Sequence, residues 1–306
     1  MTADLLGEPD PRSEPWRCSV AARARGDSMI ATAAPALRWL LVEDPGPWGP
    51  DAHPTGTIAR GVAGELRRQA TAQNARLVLI RRHESLHAAH EPGPRRYAWG
   101  TCTPGATATR WHRARTDNDL SAIADPRDAP SIEGPSTIYL TCTQGRHDVC
   151  CALWGRPIAR QLAALRPDAS FECSHMGGDR FAANVVVLPW GLVYGQVELG
   201  DVDLVVEETE AERMVPRLLR GRSWYASPIQ AALIHLAQTT LDRRIDAWTP
   251  VAHERSDDVW VIRLESPEGR AHVVEVVERH RMVEFPLTCA GHTPSRLRTF
   301  EVLDSR

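Results

Sequence analysis

The sequence predicts an α/β protein built from three successive units, and three observations predict it. Apolar runs of strand length alternate with helical stretches, the order strand, turn and helix restarts near residue 137, and Pro, Gly, Asp and Ser punctuate the intervals. At 306 residues, with 42 % hydrophobic and 25 % charged side chains, the chain is long enough for two or three domains with cores of their own.

After a Pro-rich arm, Leu37 to Glu43 reads as a buried strand, with the turn PGPWGP behind it. Ile58 to Ala72 has helical composition and Leu77 to Ile80 is the next strand, which gives β-α-β; Tyr97 to Thr101 and Thr107 to His112 add a hairpin. Residues 115 to 135, rich in Asp, Pro and Ser, read as a linker, so the first unit is placed at 1–130. The second unit, 131–222, opens with Thr137 to Thr141 and enters a helix near Gly155-Arg156-Pro157, where proline suits a first turn because its missing N–H would be unpaired anyway. Ile158, Leu162 and Leu165 fall on one helical face. Ser170 to Cys173, Val185 to Leu188 and Leu192 to Val197 follow as strands, and Glu207 to Arg220 as a closing helix. The order β-α-β-β-β-α resembles a thioredoxin-like sheet. The third unit, 223–306, begins with a helix at Ser227-Pro228 that carries Ile229, Leu233 and Leu236 on one face. Strands near Val259 to Leu264 and His272 to Val277, joined by the turn Ser266 to Gly269, make it a small α+β unit. No internal repeat is evident by eye, although both α/β units start with a strand that leads into a turn and helix.

The formal net charge of −3 builds no positive field for nucleic acid. All 36 cations are arginine, a compositional background that discounts arginine-rich patches. The sequence has no apolar run long enough to span a bilayer and no signal-peptide pattern at its start, so a cytoplasmic protein with no membrane partner is expected. In that reducing compartment clustered cysteines point to metal or redox chemistry.

Two segments compete for that role. His83-Glu84-Ser85-Leu86-His87 fits H-E-x-x-H, the zinc-peptidase spacing that sets two imidazoles on one helix face. The surrounding RRHESLHAAHEPGPRR is polar, follows a strand at once and meets Pro92, so chance histidines in a loop are the better reading. The other segment is CTQGRHDVCC, residues 142–151, together with FECSHMGGD, residues 171–179. Cys142 ends a strand, and Cys150 and Cys151 enter a helix, where N–H groups stabilise thiolates. Cys173 and His175 are two apart on extended chain and point the same way. Gly177-Gly178 allows close backbone approach. Singly, each is an ordinary core thiol, structural histidine or turn; together they put four or five soft ligands in two short loops of one sheet.

The stretches CTQGRHDVCCALWGRPIARQL and FECSHMGGDRFAANVVVLPWGLVYGQV resemble the sucrase/ferredoxin-like family of actinobacterial type, a match specific over about 137–198 and looser over Arg17 to Gly49. The resemblance implies a thioredoxin-like ferredoxin domain, a [2Fe-2S] cofactor and one-electron transfer rather than catalysis on a substrate of its own. Fungal relatives use a cysteine pair spaced C-x8-C and a histidine pair spaced H-x3-H. Carried over, these fall on Cys142, Cys151 and His175, while the second histidine position holds Asp179. Cys173 is expected to be the fourth ligand, with Asp179 beside it as an orienting partner or alternate and Cys150 as a further alternate. Imidazole ligation implies a potential above plant-type ferredoxins, roughly −300 to 0 mV, that falls as pH rises through the histidine pKa.

Arg146, His147 and Arg180 are expected to tune the site, Trp154 and Trp190 to pack in the core, and Arg25-Gly26-Asp27 to be a chance adhesion triplet. Cys18, Cys102 and Cys289 look structural or incidental. The implied partners are a reductase and an acceptor protein, and homodimerisation is compatible with the sequence. Two further readings stand beside this one: a thiol-disulfide oxidoreductase using Cys142, Cys150 or Cys151, which lacks the C-x-x-C spacing, and a zinc-binding protein.

Overall fold

The computed structural model describes residues 16–52, 56–83, 94–121, 123, 130–291 and 293–306. Nine strands form one mixed sheet: β1 (Arg38–Glu43), β2 (Ala75–Arg81), β3 (Arg95–Thr101), β4 (Ala108–Ala114), β5 (Ile138–Cys142), β6 (Ser170–Cys173), β7 (Val185–Leu188), β8 (Leu192–Tyr194) and β9 (Leu219–Arg222). Their spatial order is β4-β3-β1-β2-β6-β5-β7-β8-β9. The expected boundary near 130 therefore falls between strands that belong to one sheet.

This order contains the same pattern twice. β1 and β2 are parallel and joined through α2 (Arg60–Ala72), β3 is antiparallel to β1, and β4 is antiparallel to β3. β5 and β6 are likewise parallel and joined through α4 (Val149–Leu165), β7 is antiparallel to β5, and β8 is antiparallel to β7. The halves meet where β2 pairs antiparallel with β6, through Ile80 with Cys173 and Arg81 with Glu172. Strands that run toward each other and overlap at their C-terminal ends bring the loops after β1 and β5 to the middle of the sheet.

Period-two alternation sorts the strand residues. Trp39, Leu41, Val78, Ile80, Leu140, Cys142, Phe171 and Cys173 share one core, which crosses the joint between the halves. Their neighbours Leu40, Val42, Leu77 and Leu79 pack with Leu66 and Ala70 of α2, and Tyr139 packs with Ile158 and Leu162 of α4. A buried ion pair fastens the joint: Arg81 Nε and Nη2 donate to Glu172 Oε2 at 3.0 and 2.8 Å, and Thr143 Oγ1 donates to the same oxygen at 2.8 Å.

Two helix boundaries differ from expectation. α4 starts six residues before Gly155, at Val149, with Asp148 as its N-cap accepting from Cys150 N at 2.9 Å. Pro157 therefore lies inside the helix. Gly155 is required by packing, since a Cβ there would sit 2.1 Å from the Cys142 carbonyl oxygen. The helix expected over Glu207 to Arg220 is instead α5 (Val202–Glu210), which buries Val202, Val205, Val206 and Thr209; Glu212 turns at φ 53°, and the chain returns as the edge strand β9. A short helix, α3 (Asp117–Ser121), lies in the expected linker, and α1 (Cys18–Ala24) precedes the sheet.

Past residue 222, α6 (Ser227–Thr239) packs Ile229, Leu233 and Leu236 against Ile262, Leu264, Val274, Val276 and Phe300. These belong to a four-stranded antiparallel sheet, β10 (Thr249–Ser256), β11 (Val259–Glu265), β12 (Ala271–Val283) and β13 (Ser295–Ser305). The outer strands β10 and β13 escaped the sequence reading because β10 is almost wholly exposed and its residues, TPVAHERS, lack apolar alternation. Among the described residues no helix is long and apolar enough to cross a membrane.

Candidate metal centre

The end of β5, the first turn of α4 and the loop after β6 converge in the middle of the sheet. There the ligand atoms of Cys142, Cys151 and His175 lie within 4.8 Å of one another. Cys142 and Cys151 are 2 % and 1 % exposed, whereas the His175 side chain is 21 % exposed, so the site meets solvent through its imidazole. Asp179 binds both sides of the group: Cys151 Sγ donates to its Oδ1 at 3.2 Å, and His175 Nδ1 lies 2.9 Å from the same oxygen. That ion contact does not satisfy hydrogen-bond geometry and leaves the buried Nδ1 without a hydrogen-bond partner.

The charges respond to these contacts. The neighbouring Cys151 sulfur, working against burial and helped by His175, holds the Cys142 thiol down at about 5. The same pairing, with burial, pushes Cys151 up, since the two sulfurs titrate together. Burial alone would lower His175, but its contacts with Asp179 and Cys142 raise it to about 9. Burial would raise Asp179, yet His175 and Cys151 hold its carboxyl below the usual range. The centre is thus a thiolate and a carboxylate facing an imidazolium, the charge pattern that a cation bound to neutral imidazole and thiolates would replace.

Of the remaining candidates, Cys173 is fully buried next to Cys142 in the parallel register but lies outside the 4.8 Å group; burial pushes its thiol up. Cys150 faces away, into a different group. Successive residues on a helix are about 100° apart, so adjacent cysteines address separate neighbourhoods. His147 stacks on His175 with ring centroids 3.7 Å apart, and its Nε2 is 3.8 Å from Asp179 Oδ2. Arg180 stacks 4.3 Å over Phe181 and lies 3.6 Å from Asp27. Asp27 and Arg25 form a buried pair at 2.7 Å, so the adhesion triplet is internal structure. Trp154 is 43 % exposed rather than core and donates to Ser19 Oγ at 2.9 Å. In the competing H-E-x-x-H segment, His83 Nδ1 is 2.7 Å from Glu172 Oε1, while 84–87 lie outside the described residues.

Sequence reasoning missed the support around the group. Gln144 donates through Nε2 to the carbonyls of Gly49 and Pro50 at 2.6 and 3.1 Å and accepts from His175 N at 2.7 Å. The first half's PGPWGP turn thereby lids the second half's site, and a cavity of about 400 Å³ lined by Pro50, Gln144, His147 and His175 opens above it. Burial pushes the Arg76 and Arg220 guanidinium pKa values down, Arg220 to about 9, and the nearby Cys142 charge works against that shift. Arg220 also donates to Gly177 O at 2.9 Å and Asn184 Oδ1 at 2.7 Å, and a Cβ on Gly178, at φ 86°, would strike its guanidinium at 2.3 Å. No local pattern marks such long-range contacts; only an arginine inside an apolar strand, as in ARLVLIR, hints at one.

The family model described as sucrase/ferredoxin-like matches residues 29–221, a span that contains both halves of the sheet up to β9. No curated protein and no solved structure matches the chain.

Proposed function

We propose, for a chain that belongs to the sucrase/ferredoxin-like family, that the centre at Cys142, Cys151 and His175 holds a [2Fe-2S] cluster and that the protein is a one-electron carrier. The observation that carries this reading is the convergence of two buried sulfurs and one solvent-reaching imidazole at the middle of the sheet. The donor set suits the group: soft thiolates and an imidazole match ferric-sulfide chemistry, and the buried His175 Nδ1 makes no hydrogen bond among the described residues. The repeated β-α-β-β-β order supports a thioredoxin-like reading of each half.

When bound, such a cluster supplies one-electron chemistry at a potential that imidazole ligation raises. The chain's own groups do the rest. Cys142, Cys151 and His175 supply three ligands, and Cys173, in register beside Cys142, supplies the fourth. Asp179 orients the His175 ring, as carboxylates do for ligating histidines. Arg76 and Arg220 offset negative charge, and Gln144 with the Gly49-Pro50 turn keeps water from the sulfurs. The exposed histidine edge is where a reductase and an acceptor protein would approach, since electron transfer favours the least-covered side.

Anaerobic purification with visible spectroscopy, reduced-state EPR and iron, sulfide and zinc analysis tests this. Two irons and two sulfides per chain with a rhombic signal are expected; a colourless protein after anaerobic reconstitution overturns it. Cys173→Ala should lose iron, whereas Asp179→Asn should keep it with shifted g-values; the reverse outcome makes Asp179 the ligand. A thiol-disulfide enzyme draws support from the lowered Cys142 pKa, but both sulfurs are buried where catalytic thiols are partly exposed.

A further inference from the structure

We propose that Cys18, Cys150, Cys289 and Asp148 form a second site, for a single thiophilic divalent cation of the zinc type. Cys18 opens α1, Cys150 lies in the first turn of α4, and Cys289 sits in the loop between β12 and β13. Their sulfurs and an Asp148 oxygen lie within 4.8 Å of one another, with Cys18 and Cys150 1 % and 0 % exposed and Asp148 2 %.

The spacing fits one ion. Cys150 Sγ and Cys289 Sγ are 3.5 Å apart and both free. A disulfide needs about 2 Å, while the edge of a tetrahedron of sulfurs around zinc at about 2.3 Å is roughly 3.8 Å. Cys18 Sγ lies 3.5 Å from Asp148 Oδ2. Three thiolates and one carboxylate complete a closed four-coordinate set, the arrangement of a structural rather than an open catalytic site.

The surroundings are those of ligating sulfurs. Ser19 Oγ donates to Cys150 Sγ at 3.2 Å, and Cys18 N donates to Cys289 Sγ at 3.4 Å. Cys150 N and Cys289 N donate to the two Asp148 oxygens at 2.9 and 2.7 Å, which fixes the carboxylate's orientation. Binding displaces the thiol protons and joins three segments far apart in sequence, so the ion acts as a clasp that holds α1 and the β12–β13 loop against the helix entering the other centre. The adjacent cysteines of the CC pair thus serve two centres.

Zinc per chain, measured beside iron and sulfide on anaerobically purified, chelator-washed protein, tests the site. One zinc is expected in the wild type. Cys289→Ala and Cys18→Ser should each lose it with iron and sulfide unchanged, and Cys142→Ala should lose iron and keep zinc. Because zinc is read apart from iron, failure of the electron-carrier reading leaves this result standing. If the variants do not fold, cobalt added to the zinc-stripped, iron-replete wild type should give thiolate charge-transfer bands that saturate at one equivalent. No zinc and no cobalt bands, zinc that persists in Cys289→Ala, or a Cys150–Cys289 disulfide in freshly isolated protein overturns the proposal.

Discussion

The two halves of the nine-stranded sheet repeat one topology with different chemistry. At the joint, the position occupied by Cys173 in β6 faces Ile80 in β2, and the strand end that is Cys142 in β5 corresponds to Glu43 in β1. The second half carries sulfurs and imidazole; the first half contributes an apolar strand, the buried Arg81 and a turn that lids its neighbour. Topology brings the loops to the middle of the sheet, and side-chain chemistry decides which loop becomes a centre and which a cover.

The largest effect should come from the joint. Arg81→Ala removes the guanidinium from Glu172, buried at 0 % exposure, leaving it His83 and Thr143 as partners, and chemical denaturation should show a loss of about 3 kcal/mol. A smaller loss would mean that the two halves hold together by packing alone. Ile80→Ala, at a fully buried position in the shared core, should cost about 2–5 kcal/mol while leaving iron content per folded chain intact. Loss of iron there would show that the first half shapes the sulfur geometry directly.

Gln144→Ala tests the lid. It cuts the contacts to Gly49, Pro50 and His175 N, should cost about 1 kcal/mol and, for the proposed cluster, should speed its loss to a chelator, followed by bleaching of the visible spectrum. Unchanged bleaching would remove the turn from the site's protection. The smallest effect concerns pH in the first half. Burial lowers His112, held at 3.0 Å from the Pro130 carbonyl and stacked on Tyr97, below the usual value of about 6.5. The unfolded chain therefore binds this proton first. Its contribution is complete above about 6.5 and is lost as pH falls toward the lower folded value. His112→Gln should flatten that part of the acid limb of a stability-versus-pH curve; an unaltered limb would assign it to other groups.

Most strands were legible because their apolar runs are short, β-branched and bounded by Pro or Gly. Cys142, Cys151 and His175 stood out because thiols and an imidazole crowd two short loops, and the C-x8-C pairing came from the family resemblance. The duplication was hidden, since the halves share pairing order but not side chains. The start of α4 was misplaced because Pro157 outweighed Asp148, the actual cap. Cys18 and Cys289 looked incidental because each stands alone in sequence, and only the fold brings Cys289 to Cys150.

By itself, then, the sequence determined the α/β alternation, the buried strands and the two loops in which cysteines and a histidine crowd together. These depend on local propensity, on periodicity and on residues close along the chain. The tertiary structure alone decided that two units share one sheet, that a turn near residue 50 covers a centre near residue 142, and that vicinal cysteines face different neighbours. Those outcomes depend on strand pairing and helix phase, which bring together residues 91 to 139 positions apart and leave no local signature.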